Sequence, residues 1–176
     1  MIFDATKLPG VFLIHLDRKF DDRGFFARSW CQQEFESHGL ASNLVQCSVS
    51  FNEHKGTLRG LHYQALPHPE TKLVRCTSGA IYDVIVDLRP DSPTFKDWFA
   101  AVLSADNRDM LYIPRQCAHG FLTLAPQTEV FYQMSEFYFP ELARGFRWND
   151  PAFQVSWPAS VEVISDRDRT YPDFLD

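Results

Sequence analysis

The stretch Arg59-Gly60-Leu61-His62-Tyr63-Gln64 decides the fold. Read with the two-residue repeat of a β-strand, Arg59, Leu61 and Tyr63 share one face, and Gly60, His62 and Gln64 share the other. The second face is too polar for a core and suits a cavity wall. Strands with the same habit surround it. Val45 to Phe51 alternates apolar and small polar residues. Ala80 to Leu88 puts Tyr82, Val84, Val86 and Leu88 on one face, and Ile81, Asp83, Ile85 and Asp87 on the other. Leu73 to Cys76, Trp98 to Leu103, Met110 to Ile113, Phe121 to Leu124 and Glu129 to Met134 follow, with Pro90, Pro93, Pro114 and Pro126 between them. The one good helix spans Ser29 to His38 and is closed by Gly39. Many short strands separated by turn signals predict an all-β protein. Inward-facing polar side chains favour a double-stranded β-helix, a cupin-like jelly roll with short peripheral helices, over an immunoglobulin-type sandwich.

The chain has 176 residues. With no linker, repeat or low-complexity tract in it, a single jelly-roll domain over 1–176 is expected. Hydrophobic residues at 45% exclude disorder as a description of the whole chain. The net charge of −6 argues against a nucleic-acid binder, so an anionic ligand must be held by a few local cations. Cys31, Cys47, Cys76 and Cys117 form no CxxC pair, and Met1-Ile2-Phe3-Asp4 lacks the basic and apolar regions of a signal peptide. Buried reduced thiols in a cytoplasmic protein are the reading. No apolar run approaches the ~20 residues of a membrane span.

Several side chains could carry chemistry. His62 sits on the polar face, although a lone histidine is usually a satisfied core or surface residue. Lys72 opens an apolar strand; it is a solvated strand end or, if it points inward, a cation for an oxyanion. Tyr132 is a packing tyrosine or a buried acid. His119, before Gly120 and Phe121, reads as a turn residue capping backbone groups. Ser165-Asp166-Arg167-Asp168-Arg169 reads by pattern as a solvated loop. A cupin-type metal site needs a second histidine two positions after the first. Here that position is Gln64, and the nearest acid is Glu70 in a Pro-rich loop, so no metal is expected. Serine-hydrolase, P-loop and Rossmann patterns do not occur in the sequence.

Taken in order, these pieces resemble the dTDP-4-dehydrorhamnose 3,5-epimerase family. The matching stretches are Asp22-Arg23-Gly24-Phe25-Phe26, Leu58 to Gln64, Lys72-Leu73-Val74-Arg75, Asp83 to Arg89 and Ser92-Pro93-Thr94-Phe95. They continue with Ile113-Pro114, Ala118-His119-Gly120-Phe121, Phe131-Tyr132, Trp148-Asn149-Asp150-Pro151 and Ser165 to Arg169. The resemblance implies a homodimer with neither metal nor organic cofactor, acting on a nucleotide sugar. It implies that His62 is the base, oriented by Asp168, that Lys72 receives enolate charge, and that Tyr132 is the opposing acid. It makes Arg59 and Arg23 diphosphate ligands, with Arg167 also on the substrate. Tyr138 and Phe26 become stacking partners for the nucleobase, Phe26 reaching across from the partner subunit. His119 is placed near the sugar.

Two positions depart from the family pattern. Arg28 stands where a glutamate is usual, and Gln46-Cys47-Ser48 stands where Gln-x-Asn is usual. Both belong to the nucleotide end: an Arg28 that touches the base edge would favour a CDP- or GDP-linked sugar, and one turned to solvent or a phosphate would leave thymine recognised by stacking and Gln46. Three alternatives stay open at this level: a single-site epimerase or keto-isomerase, a non-catalytic sugar-nucleotide binder, and a metal-dependent cupin oxygenase.

Overall fold

The computed structural model describes residues 1–175. With strands numbered in chain order, β1 (Ile2–Ala5), β2 (Phe12–His15), β10 (Met110–Ile113), β7 (Lys72–Ser78), β12 (Thr128–Met134) and β5 (Gln46–Asn52) pair side by side into one antiparallel sheet. A second sheet has the order β13 (Ala143–Gly145), β6 (Thr57–Gln64), β11 (Cys117–Thr123), β8 (Ala80–Asp87) and β9 (Trp98–Ser104). β14 (Val163–Ile164) runs parallel to the start of β6. The chain alternates between the sheets from β5 to β8 and again from β10 to β12, which is the jelly-roll path. The hairpin β3 (Lys19–Asp21) and β4 (Gly24–Phe26) pairs with neither sheet. α1 (Gln32–Ser37) and α2 (Asp166–Arg169) are the peripheral helices. Among the described residues no helix is long and apolar enough to cross a membrane.

Three apolar layers follow from the strand patterns. Val74, Ile81, Ile85, Leu111, Ile113, Phe121 and Val130 meet between the sheets. Phe35 of α1 packs with Ile14, Leu73, Met110 and Tyr112 on the outer face of the first sheet. Leu61, Val84, Val86, Ala118 and Phe153 cover the outer face of the second. Ile81 and Ile85 therefore point inward while Val84 and Val86 point outward, as their alternation requires. Burying these side chains stabilises the fold at roughly 25 cal/mol per Å² of apolar surface.

Sequence and structure part in several places. β1 to β4 carry no clean alternation and were not anticipated as strands. The helix expected over Ser29–His38 shrinks to α1, because Cys31 at its N-cap is extended and offers no side-chain cap. The charged run Ser165–Arg169 is no solvated loop: it forms α2, with the Ser165 Oγ accepting from the Asp168 N–H at 3.1 Å. The cysteines are all free, but only Cys76 and Cys117 are buried; Cys31 is half-buried and Cys47 exposed. Burial pushes the Cys76 thiol up to about 11 and the Cys117 thiol up to about 12.

Candidate active site

The decisive local feature is a bulge in β6. His119 pairs with His62, and Phe121 pairs with Arg59, so two steps along β11 match three along β6. The extra residue breaks the alternation. Arg59 consequently joins His62 on the cavity face, which corrects the expectation that they lie on opposite faces. Leu61 goes to the outer layer. Gly60 makes the bulge with φ +130 and sits against Gly120, leaving no room for a side chain.

The inward face opens into a cavity of about 560 Å³ between the sheets. Its lining includes Ser48, Arg59, His62, Lys72, His119, Tyr132, Tyr138, Arg167 and Asp168. Nine of the expected site residues thus converge, drawn from both sheets, from α2 and, for Tyr138, from the loop after β12.

His62 Nε2 lies 2.7 Å from the Asp168 Oδ1. The other carboxylate oxygen accepts the Gly60 N–H at 3.2 Å. Asp168 is buried. Burial pushes its carboxyl up, but the bond and charge of His62, the Gly60 N–H and Arg167 together hold it below the usual carboxylate value. Across the cavity, the Tyr132 hydroxyl is 3.4 Å from the Ser50 Oγ. Burial pushes this phenol far up; Ser50 and Arg59 pull it down only in part, and the Asp83 charge raises it further. The group therefore holds its proton at neutral pH.

His119 is not in a turn. It lies within β11, buried, with Nε2 2.6 Å from Asp83 Oδ1. Its ring meets Tyr132 edge-on at 6.1 Å. Lys72 points inward and pairs with Glu70 at 2.6 Å. Arg59 donates to the Asn52 Oδ1 at 2.7 Å and to the Phe51 carbonyl at 3.3 Å. The Gln46 side chain accepts the Tyr138 N–H at 3.2 Å and stays off the lining.

Arg23, Phe26 and Arg28 are elsewhere. Arg23 bonds Asp21 on the exposed hairpin. Phe26 is 77% exposed. Arg28 pairs with Glu34 at 2.9 Å, and Glu34 also holds the Met1 ammonium at 2.7 Å.

Sequence reasoning missed Ser50, Glu70, Asp83, Arg144 and Tyr171. Ser50 and Glu70 carried a signal, since each stands two positions from a candidate already named. Tyr171 carried none: its ring reaches His62 at 5.9 Å only through the C-terminal fold-back. Among the described residues no cluster of three or more metal-ligating side chains occurs.

A jelly roll with a His–carboxylate pair on one wall and a protonated phenol on the other is a frame for acid–base chemistry on a bound ligand. The profile of the family described as dTDP-4-dehydrorhamnose 3,5-epimerase matches residues 5–176, and the chain belongs to that family of isomerases. It is 44% identical over 160 residues to the dTDP-4-dehydrorhamnose 3,5-epimerase of Escherichia coli, covering 90% of this chain and 86% of that protein. A crystal structure of the Bacillus anthracis enzyme, with TDP and PPi bound, superposes with a TM-score of 0.94 at 43% identity, covering 98% and 99% of the two chains. The Legionella pneumophila enzyme, solved with dTDP-4-keto-L-rhamnose, gives 0.88 at 34% identity, covering 95% and 89%.

Proposed function

We propose that this chain inverts C3 and C5 of a dTDP-linked 4-keto-6-deoxyhexose by proton abstraction beside the ketone and proton return on the opposite face. The single observation that carries this reading is the His62–Asp168 pair across the cavity from Tyr132. With Nε2–H donated to Asp168, the lone pair on Nδ1 is the base. The neighbouring carboxylate then stabilises the imidazolium that forms, as in other His–Asp pairs. The Lys72 ammonium receives the enolate charge at the ketone oxygen, an effect of about 3 kcal/mol for one preorganised donor. Tyr132 stands on the first sheet and His62 on the second, so acid and base reach a sugar from opposite sides. His119, fixed by Asp83, sits against Tyr132 and borders the sugar.

Arg59 and Arg167 bind the diphosphate, and Tyr138 stacks on the base beside Ser48 and Gln46. Arg23, Phe26 and Arg28 then belong to the cavity of a partner subunit in a homodimer. The hairpin that carries Arg23 and Phe26, two residues before Arg28, with Phe20 74% and Phe26 77% exposed, is the surface such a partner would cover. Arg28 gives one of its N–H donors to Glu34, and the thymine assignment rests on the likeness to relatives that act on dTDP sugars. Calorimetric titration with dTDP, CDP and GDP tests the nucleotide. Tightest binding of dTDP is expected, and a preference for CDP or GDP that is lost in Arg28→Glu would overturn the assignment.

A further inference from the structure

Glu70 and Lys72 flank Thr71 with the two-residue spacing that puts both on one side of an extended chain. Thr71 is buried on the other side. Its N–H donates to the Ser135 Oγ at 2.8 Å, and its carbonyl accepts the Ser135 N–H at 3.0 Å. This double clamp holds the backbone, so both side chains project into the cavity, each nearly buried at 12–13% side-chain exposure. The Glu70 Oε1 lies 2.6 Å from Lys72 Nζ, so the carboxylate cancels the ammonium charge locally.

The other cavity cations are arranged differently. Arg59 donates to an amide oxygen and a backbone carbonyl. Arg144 donates to the carbonyls of Glu141 and Ala143. Arg167 lies over the Tyr171 ring at 5.6 Å. Among the described residues, none of the three has a carboxylate partner within salt-bridge distance. Arg59 is anchored beside the β5–β6 connection, whereas Lys72 enters after the β6–β7 connection, at the other end of β6. Arg59 and Arg167 therefore form a net positive region, whereas at the far end of β6 Lys72 is neutralised by Glu70 and Arg144, opposite Tyr63, is exposed.

We propose that Glu70 is a specificity-determining residue that sets the direction in which a ligand enters. It weakens the pull of Lys72 on a free diphosphate, so that group is held by Arg59 and Arg167, while the remaining N–H donors of Lys72 still serve the ketone oxygen and the charge that develops on it. An ammonium has three N–H donors, and with one spent on Glu70 the others remain for an uncharged carbonyl. The identity of that carbonyl rests on the function proposed above; the anion selectivity does not.

Inorganic pyrophosphate is the probe, titrated calorimetrically into wild type, Glu70→Gln and the double variant Glu70→Gln/Lys72→Met. Glutamine keeps the shape and an acceptor oxygen but lifts the neutralisation. Glu70→Gln is expected to bind pyrophosphate about tenfold tighter, as fits an ammonium freed from its counter-charge in a half-screened cavity. The double variant swaps one neutral pair for another and should match wild type within about twofold. Unchanged or weaker binding in Glu70→Gln would overturn the proposal. So would a loss in the double variant as large as that of Arg59→Met. Loosened packing alone would weaken anion binding, the opposite sign. Because pyrophosphate carries no sugar, a failure here leaves the epimerase reading standing, and deuterium exchange on the keto sugar tests that reading separately.

Discussion

A Cβ built on Gly60 would lie 2.5 Å from the Gly120 Cα, so β6 and β11 touch backbone to backbone at the bulge. Gly60 also has φ +130, a region that side chains avoid. Neither partner can yield, because both obstacles are main chain. Gly60→Ala should lose about 3 kcal/mol in urea unfolding. Its activity should fall further, since Arg59 and His62 share the cavity face only through this bulge. A native-like midpoint with full activity would contradict the role given to the bulge.

Asp168→Asn tests the pair behind the base. The asparagine amide cannot supply two carboxylate acceptors at once to His62 and the Gly60 N–H. A folded protein with turnover lowered by about 10²–10⁴-fold is expected, the usual size of a general-base contribution. Circular dichroism checks the fold and steady-state kinetics the rate. Unchanged turnover would separate Asp168 from the chemistry.

Tyr132→Phe should divide exchange from inversion. In the proposed mechanism deprotonation needs His62 and Lys72, whereas return of a proton on the other face needs the phenol. In deuterated water the variant should wash label into the substrate and yield little inverted product. Equal loss of both, followed by proton NMR, would assign the acid to another group.

Asp87 gives the fold a pH dependence. It is fully buried, and its carboxylate accepts from the Arg89 guanidinium at 2.7 Å, from the Ser92 hydroxyl at 2.6 Å and from the Thr94 hydroxyl at 2.7 Å. Burial raises its carboxyl, and these bonds more than offset that, holding it below its ordinary value of 3.8. A depressed folded value gives stability that is fully present above the unfolded value and is lost as pH falls through the folded one. Asp87→Asn should therefore cost about 3 kcal/mol at pH 7, the range for breaking a buried pair. In thermal melts the gap from wild type should begin to narrow below about pH 4, where the unfolded carboxyl protonates, and go on closing as pH falls through the depressed folded value. A gap constant from pH 7 to pH 3 would rule out the charge as its source.

Much of this architecture was legible because its strands are short and strictly alternating. Met110–Ile113 falls where the sequence puts it, and Ala80–Asp87 ends one residue before the expected Leu88. Alternation also assigned Ile81 and Val84 to opposite faces correctly. It failed at Arg59, because a bulge is set by the close approach of Gly60 to a residue far along the chain, not by any local period. It failed for His119 in another way: Ala118-His119-Gly120 reads as a turn until Asp83 on the neighbouring strand supplies a buried partner. Asp168 looked solvated because its burial comes from β6, over a hundred positions earlier. Glu70 was visible as the nearest acid to a lone histidine, but its real partner is the lysine two residues on.

In the proposed reaction His62 abstracts the protons beside the ketone. Incubation of dTDP-4-keto-6-deoxyglucose with the protein in deuterated water, followed by proton NMR, tests it most directly. Wild type should place deuterium at C3 and C5 and give the inverted sugar. His62→Ala should lose exchange at both carbons by about 10²–10⁴-fold or more, because one base serves both in turn. Near-normal exchange at either carbon in His62→Ala would contradict it.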